Sequence, residues 1–169
     1  DRTIRPLFDK RIRHPIQGVA TVLSYDGEND PDFLALMAAS TALAISDIPW
    51  GGPVSGVSVS KIDDKFVINP KNSEMTDEST PLRAFFAGTD KHINMIELGG
   101  NGVGEADVLD AGKEAMKAVS ELINFQREIV SKIGKEKTGI KFDEPSVEFV
   151  KEMKDYLAKN LEDAVYVKD

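Results

Sequence analysis

The sequence predicts an α+β domain with an α-helical extension at its C-terminal end. Short β-rich runs separated by turn residues fill most of residues 16–98. From Glu105 the hydrophobic residues recur at helical spacing instead, and a second helical pattern follows a polar linker. The order of strand, helix, several strands and long helix is typical of α+β domains rather than of alternating α/β folds.

The first predicted elements are a strand and a helix. Residues 16–23 alternate Ile, Val, Ala and Leu with small residues and end at Asp26-Gly27, which predicts a strand buried on both faces. Asp30 before Pro31 is a helix-start signal, and Asp47-Ile48-Pro49 is a stop signal. Because this helix is apolar nearly all round, we expect it to be central to the fold.

Four further β-runs predict two pairs of strands. Residues 54–62 and 66–68 flank Asp63-Asp64, which predicts a hairpin. The polar residues 70–80 predict a loop. Two more runs, at residues 82–87 and 93–98, are joined around Gly88-Thr89-Asp90.

Two helices complete the chain. A long amphipathic helix is predicted from Glu105 to Ile133 and ends at Gly134. Residues 135–144 form a polar linker, and Pro145 opens a second helix with an apolar stripe. Since the local sequence offers this stripe little to pack on, we expect it to dock elsewhere on a parent chain.

Composition excludes several classes of site. The 169 residues contain no Cys and two His, which removes disulfides, thiolate nucleophiles and iron–sulfur clusters and disfavours a histidine-built metal site. The longest apolar run, residues 33–45, is shorter than the roughly 20 residues that span a bilayer. No signal peptide opens the chain, so we expect a cytoplasmic protein without membrane contact. Because the first residue is Asp1 rather than Met, we expect a piece of a longer chain.

The net charge of −8 is unevenly distributed. Residues 1–14 carry +3, residues 15–134 carry −9 and residues 135–169 carry −2. An acidic body repels polyanions, so any nucleic-acid contact is expected at the basic N-terminal segment. A solvated basic stretch without a partner is the alternative. The candidate RNA- or phosphate-binding residues are Arg2, Arg5, Lys10, Arg11 and Arg13.

Other motifs favour structural roles. The glycine-rich residues 99–104 lack both nucleotide-binding spacings and predict a flexible turn. Carboxylates near the two helix starts could be drawn as metal ligands, but acidic residues are favoured there by the exposed N–H groups. Neither His14 nor His92 has a sequence context that supports acid/base catalysis. The residues alone therefore predict no catalytic group and no metal ligand.

Two segments resemble the polynucleotide phosphorylase family closely. Asp1–Phe8 resembles its D-R-P-I-R-P-L-F segment, and Asn29–Pro53 resembles its N-D-P-D-x-x-A-x-x-x-A-S-x-A-L-x-I-S-x-I-P-[FW]-x-G-P segment. Asn69-Pro70 and Ala87-Gly88-Thr89 match its N-P-T and A-G-T motifs in order and spacing.

The resemblance implies a ribonuclease PH-like fold of the ribosomal S5 domain 2-like type, incomplete at its N-terminus. Residues 1–134 would be the later part of the first such domain, and residues 135–169 the start of the family's all-α linker. The parent enzyme would be a homotrimer that uses inorganic phosphate to degrade RNA from its 3′ end to nucleoside diphosphates, with an RNA-degradation complex as a further partner. Its Mg²⁺ would be bound by the second core domain and not by this chain.

Departures from the family's catalytic copy imply that this copy is inactive. Where the catalytic domain has a serine-rich phosphate turn, this sequence has Asn29-Asp30-Pro31-Asp32, in which carboxylates repel phosphate and Pro31 lacks an N–H donor. Arg83 and Phe85 occupy the positions of the catalytic Asp-x-Lys pair. We therefore expect trimer contacts and RNA guidance, with Arg2 and Arg5 as the first candidates. A non-enzymatic RNA-binding or scaffolding module of the same fold is the alternative.

Overall fold

The computed structural model describes residues 1–75 and 80–167 and divides into two units. The first unit comprises Asp1–Gly139 and contains the sheet, two long helices and two short 3₁₀ helices. The second unit comprises Ile140–Asp169 and contains one helix. Strands and helices in one unit with an antiparallel sheet confirm the predicted α+β class.

An antiparallel sheet of four strands forms the centre of the first unit. The strands are β1 (Ser55–Ile62), β2 (Lys65–Ile68), β3 (Leu82–Gly88) and β4 (Ile93–Gly100), in the spatial order β2-β1-β3-β4. Both predicted strand pairs are confirmed as hairpins, and β1 also pairs with β3.

Tight turns join the two hairpins. Asp63 and Asp64 have φ angles of 47° and 60°, the left-handed conformation that matches the twist of a two-residue hairpin. The β3–β4 connection requires glycine at position 88, because a Cβ there would lie 2.1 Å from the carbonyl oxygen of His92.

Helix α2 (Glu105–Ile133) covers one face of the sheet and creates the main core. Side chains of alternating residues on β1 and β3 meet the small-residue side of α2, as strand and helix periodicities require. This core comprises Val57, Val59, Leu82, Ala84, Phe86, Ala111, Ala115, Val119 and Ile123.

Helix α1 (Asp32–Ile45) confirms the predicted helix but is less central than its composition predicts. Only Ser40 and Ala44 are buried among its residues, and Leu34 is 49 % exposed. One face of α1 meets β1 and α2 and the other face is open, so uniform apolarity here does not indicate burial on all sides.

A buried polar network joins α1, α2 and the chain segment that enters β1. The Gln126 side-chain oxygen accepts the Ser40 hydroxyl at 2.6 Å, and the Gln126 amide donates to the Val54 carbonyl at 2.9 Å. The Ser40 oxygen accepts the Val54 N–H at 2.9 Å. Because Ser40 and Gln126 are fully buried, these bonds satisfy groups that have no access to water.

The prediction of a strand at residues 16–23 is wrong. The segment forms neither strand nor helix, and its apolar side chains are exposed, with Val19 at 78 % and Leu23 at 93 %. A β-rich pattern forms a stable strand only where a neighbouring strand accepts its hydrogen bonds, and no strand of the described residues pairs with this segment.

The predicted loop at residues 70–80 is described only in part. Asn72–Glu74 form a 3₁₀ turn, and the Glu74 carboxylate accepts the N–H of the preceding residue, Lys71, at 2.8 Å. Residues 76–79 of the predicted loop lie outside the described residues.

The second unit contains helix α3 (Val147–Val165), which confirms the predicted C-terminal helix. The Ser146 hydroxyl oxygen caps its N-terminus by accepting the Phe149 N–H at 3.2 Å. Its apolar stripe is exposed throughout. Among the described helices of the chain, none has the length and apolarity that crossing a membrane requires.

Replacing the buried amide should destabilise the first unit. Gln126→Met leaves the Val54 carbonyl unpaired, so we expect a loss of about 2–4 kcal/mol in the free energy of unfolding, measured by urea denaturation. Glu121→Gln, at an exposed position of the same helix, is the control and should change it by less than about 0.5 kcal/mol. Equal effects of the two substitutions would contradict a structural role for the network.

Candidate nucleic-acid interface and a cavity beside helix α1

The basic N-terminal segment is held against the fold by its apolar residues. Ile4, Leu7 and Phe8 pack against a small core around Trp50 and Val54. The Trp50 indole N–H donates to the Ile4 carbonyl at 3.0 Å, and the Gly51 N–H donates to the Leu7 carbonyl at 2.9 Å. Arg5 lies between these anchors, and Arg2 and Lys10 lie within two residues of them, so this part of the segment is held against the fold.

Two of the five predicted contact residues are engaged by nearby carboxylates. The Arg5 guanidinium lies 2.8 Å from Asp1, and the Arg11 Nε lies 2.9 Å from Asp9. Hydrogen bonding from Arg11 lowers the pKa of the Asp9 carboxyl to about 2. Both pairs are exposed to solvent, where such pairs are weak enough for a polyanion to replace them.

The other three cations are exposed and make no ion pair with any residue that the structure describes. They are Arg2, Lys10 and Arg13. RNA or phosphate contact by all five cations remains a prediction.

A cavity of about 240 Å³ lies beside the N-terminal end of α1, where Asn29, Asp30, Arg83 and Phe85 come together. These residues are about fifty positions apart in the sequence, yet they are the ones that depart from the family's phosphate turn and Asp-x-Lys pair. The structure therefore places both departures at one site. The remaining lining residues are Phe33, Ser58, Ser60, Asn69, Pro70, Met75, Ala84, Glu97 and Gly99.

Strand register explains why the polar strand residues share this cavity. Ser60 pairs with Arg83, and Arg83 pairs with Gly99 across three neighbouring strands. Ser58, Phe85 and Glu97 form the next row. Since side chains alternate along a strand, both rows lie on the face opposite the α2 core.

The cavity rim is built from two loops that hydrogen bond to each other. The Glu28 carboxylate accepts the Ser73 N–H at 3.1 Å, and the Glu28 carbonyl accepts the Asn72 N–H at 2.8 Å. Hydrogen bonds from the Ser73 hydroxyl and N–H lower the pKa of Glu28. The Asn72 amide donates to the Tyr25 hydroxyl at 2.9 Å.

Asp26 shapes the first of these loops. One of its carboxylate oxygens accepts the N–H groups of Glu28 and Asn29, both at 2.8 Å, and the other accepts the Asn29 side-chain amide. These donors lower the pKa of Asp26 to about 2, so the ionised carboxylate holds Asn29 at the cavity.

The charges at the cavity do not suit phosphate or a divalent cation. Asp30 and Glu97 oppose an anion, with Arg83 as the cationic lining residue. Among the described residues no three acidic or histidine side chains are grouped so as to hold a metal ion. The described residues that line the cavity therefore do not fit the Mg²⁺ that the family resemblance implies for the parent enzyme.

The carboxylates at the start of α2 form ion pairs with lysines. Asp107 accepts the Lys61 ammonium at 3.0 Å, which raises the pKa of Lys61, and Asp110 lies 2.7 Å from Lys113. The flexible turn predicted over residues 99–104 is shorter than expected, because Gly99 and Gly100 are the last residues of β4. Gly102, between β4 and α2, adopts a φ of 68°, a conformation that favours glycine.

Sequence reasoning missed Ser58, Ser60, Asn69 and Glu97 as site residues. Their signal was available, because serines alternate with valines along β1 and indicate a polar sheet face. What the sequence could not provide is the pairing of β1 with β3, which joins the two hairpins and brings these residues together.

Comparisons with known proteins agree on one family. Residues 52–118 match the family model described as 3′ exoribonuclease family, domain 2. The polyribonucleotide nucleotidyltransferase of Halothermothrix orenii is 41 % identical over 167 residues, covering 99 % of this chain and 23 % of the relative. That of Exiguobacterium sibiricum is 43 % identical over 154 residues, covering 89 % and 21 %. That of Brevibacillus brevis is 38 % identical over 169 residues, covering 100 % and 23 %. The chain thus spans less than a quarter of each relative's length.

Acid should destabilise the fold through Asp26. Because its pKa is lower in the folded protein than in the unfolded chain, the stabilisation is present above about pH 4 and is lost as the pH falls through about 2. Urea denaturation should give the wild type a larger free energy of unfolding than Asp26→Asn between about pH 4 and about pH 5. This difference should disappear near pH 2. Asp163→Asn on α3 is the control, and a pH-independent effect of Asp26→Asn would contradict this role.

Proposed function

The chain belongs to the polyribonucleotide nucleotidyltransferase family, and we propose that it is a non-catalytic part of such an enzyme that guides RNA. In this proposal the parent protein is a phosphate-dependent exoribonuclease that degrades RNA from the 3′ end to nucleoside diphosphates. It works as a homotrimer with Mg²⁺ held by a second core domain. Residues 1–134 are the later part of the first ribonuclease PH-like domain, and residues 135–169 begin the all-α linker.

The observation that carries the non-catalytic assignment is the cavity beside α1. Phosphorolysis needs a site that holds inorganic phosphate, and two carboxylates with one guanidinium oppose that ion. Like charges repel, so the carboxylates of Asp30 and Glu97 disfavour a bound phosphate. The loop that leads into α1 contributes Pro31, which has no N–H to donate to an anion.

RNA guidance is assigned to the basic strip at the N-terminus. Its apolar anchors fix the segment to the fold, while its five cations face solvent. The acidic body of the domain repels a phosphate backbone, so an RNA strand passing this domain is favoured at the strip. Trimer contacts by this domain are part of the same proposal.

Removing two arginines should weaken RNA binding in the intact protein. Arg2→Ala with Arg5→Ala removes two phosphate contacts, so we expect an affinity loss of several-fold and a salt-dependence slope smaller by about 1–2. Binding of single-stranded RNA is measured at several salt concentrations. Lys113→Ala with Lys117→Ala makes the same charge change on the α2 surface and should alter neither quantity. An unchanged salt slope in the arginine variant would contradict RNA contact by the strip.

The isolated chain should not perform phosphorolysis. With poly(A), inorganic phosphate and Mg²⁺ we expect no ADP release above a no-protein blank, because the described residues of the cavity oppose phosphate and do not group as metal ligands. The intact parent protein is the positive control. ADP release by the chain would contradict the assignment of Asp30, Arg83 and Phe85 to a non-catalytic copy. A parent without activity would instead favour the non-enzymatic module.

A further inference from the structure

We propose that the cavity beside α1 binds an unphosphorylated nucleobase that carries an exocyclic amino group, supplied by a free nucleoside or by single-stranded RNA. This proposal goes beyond the proposed RNA guidance, since the basic strip contributes no residue to the cavity. It concerns recognition of a base and not catalysis.

The cavity has the size and walls for one flat ring system. Its volume of about 240 Å³ is slightly below the range typical of small-molecule sites, which favours one base rather than several within the cavity. Phe33 and Phe85 provide aromatic surface of the kind on which bases stack. Phe85 is held in place over Gly56, where an added Cβ would lie 2.6 Å from its ring.

Glycine at position 99 keeps the cavity open on the β4 side. Neighbouring side chains in the same row come from Ser60 and Arg83, and Gly99 adds none. Of the atoms that the structure describes, a Cβ there would meet only the Arg83 carbonyl oxygen, at 3.9 Å, which is an ordinary contact. A larger side chain at this position can therefore reach into the cavity without straining the strand.

Uncharged hydrogen-bonding groups line the strand side. The Asn69 side-chain oxygen accepts the Ser58 N–H at 2.9 Å, which leaves the Asn69 NH₂ group as a donor. Ser60 is 2 % exposed, and its hydroxyl contacts the Met75 sulfur at 3.6 Å, a weak acceptor. The Asn69 NH₂ group and the Ser60 hydroxyl can both donate hydrogen bonds to the ring nitrogens and carbonyl oxygens of a base.

The carboxylates select the chemistry of the ligand. Asp30 and Glu97 are acceptors, and adenine, cytosine and guanine each carry an amino group that can donate to them. Uracil has a carbonyl where cytosine has its amino group. The same two carboxylates oppose a phosphate, so a nucleoside should bind at least as well as its monophosphate.

The rim makes this cavity a fixed site. Glu28 and Gly27 tie the loop that carries Asn29 to residues 72–73, because the Glu28 carboxylate accepts the Ser73 N–H and the Gly27 carbonyl accepts the Asn72 side-chain amide. Asp26 fixes Asn29 within its own loop. A preformed cavity spares the ligand the cost of ordering these loops on binding.

The test is binding of cytidine, uridine and cytidine monophosphate to the folded chain, followed by NMR chemical shifts and calorimetry. We expect cytidine to bind about tenfold more tightly than uridine, because a hydrogen bond to a charged acceptor is lost with uridine. Cytidine monophosphate should bind no more tightly than cytidine. Glu97→Gln should reduce the preference for cytidine over uridine.

A matched pair of glycine variants locates the site. Gly99→Val places its branches in the cavity and should weaken cytidine binding at least tenfold. Gly100→Val points to the opposite face, where its Cβ would meet Val103 at 3.6 Å, and should leave binding unchanged. Circular dichroism and thermal unfolding check that both variants are folded. If Gly99→Val is unfolded, the effect of Glu97→Gln on the preference for cytidine over uridine shows whether the base binds in this cavity.

A short oligocytidine identifies the source of the base. If its binding shows the same sensitivity to Gly99→Val, the base can come from RNA, and if only cytidine is sensitive, the ligand is a free nucleoside. Both results support the proposal. Equal affinities for cytidine and uridine, no cytidine binding in the millimolar range, or binding that Gly99→Val leaves intact would overturn it. RNA binding through the basic strip is measured separately and can fail or hold independently.

Discussion

The side-chain amide of Gln126 is the contact on which the placement of α1 depends. It joins α1 through Ser40 and the entry to β1 through Val54, at a point buried from water. Since α1 has one open face, its apolar packing alone leaves its position weakly determined. Directional hydrogen bonds in a dry environment supply the missing specificity, because any shift of the helix leaves buried groups unpaired.

The far end of α1 is fixed by a second directional contact. The Lys137 ammonium donates to the carbonyls of Leu43, Ala44 and Ser46 at 2.6–3.0 Å, which satisfies the last turn of the helix. Partial burial lowers the pKa of Lys137. With its middle held by Gln126 and its C-terminal end by Lys137, α1 can extend its N-terminal residues over the polar sheet face. The cavity therefore depends on contacts that lie well away from it.

Local patterns in the sequence predicted the hairpins and all three long helices, since turn residues, caps and periodicity act over a few residues. The strand at residues 16–23 was predicted wrongly because its stability requires a partner that propensity does not encode. The cavity escaped prediction for a related reason. Asn29 and Arg83 were both noted as departures from the catalytic pattern, but only the β1–β3–β4 pairing places them together with Glu97. Gln126 gave no signal at all, because a lone glutamine in an amphipathic helix is usually on its exposed side.

The groups that oppose phosphate at this cavity come from separate parts of the fold. Replacing Asp30 alone would remove one repulsive charge, yet Glu97 would remain on β4 and Pro31 would still withhold an N–H at the start of α1. Restoring a metal site would further require carboxylates in place of Arg83 on β3. Residues at the start of α1, on β3 and on β4 would all have to change before the cavity could hold phosphate and a metal ion. No single substitution would therefore convert it. A site that keeps its shape while its charges oppose phosphate remains suited to uncharged ligands with amino groups, and the fixed rim formed by Asp26 and Glu28 preserves that shape.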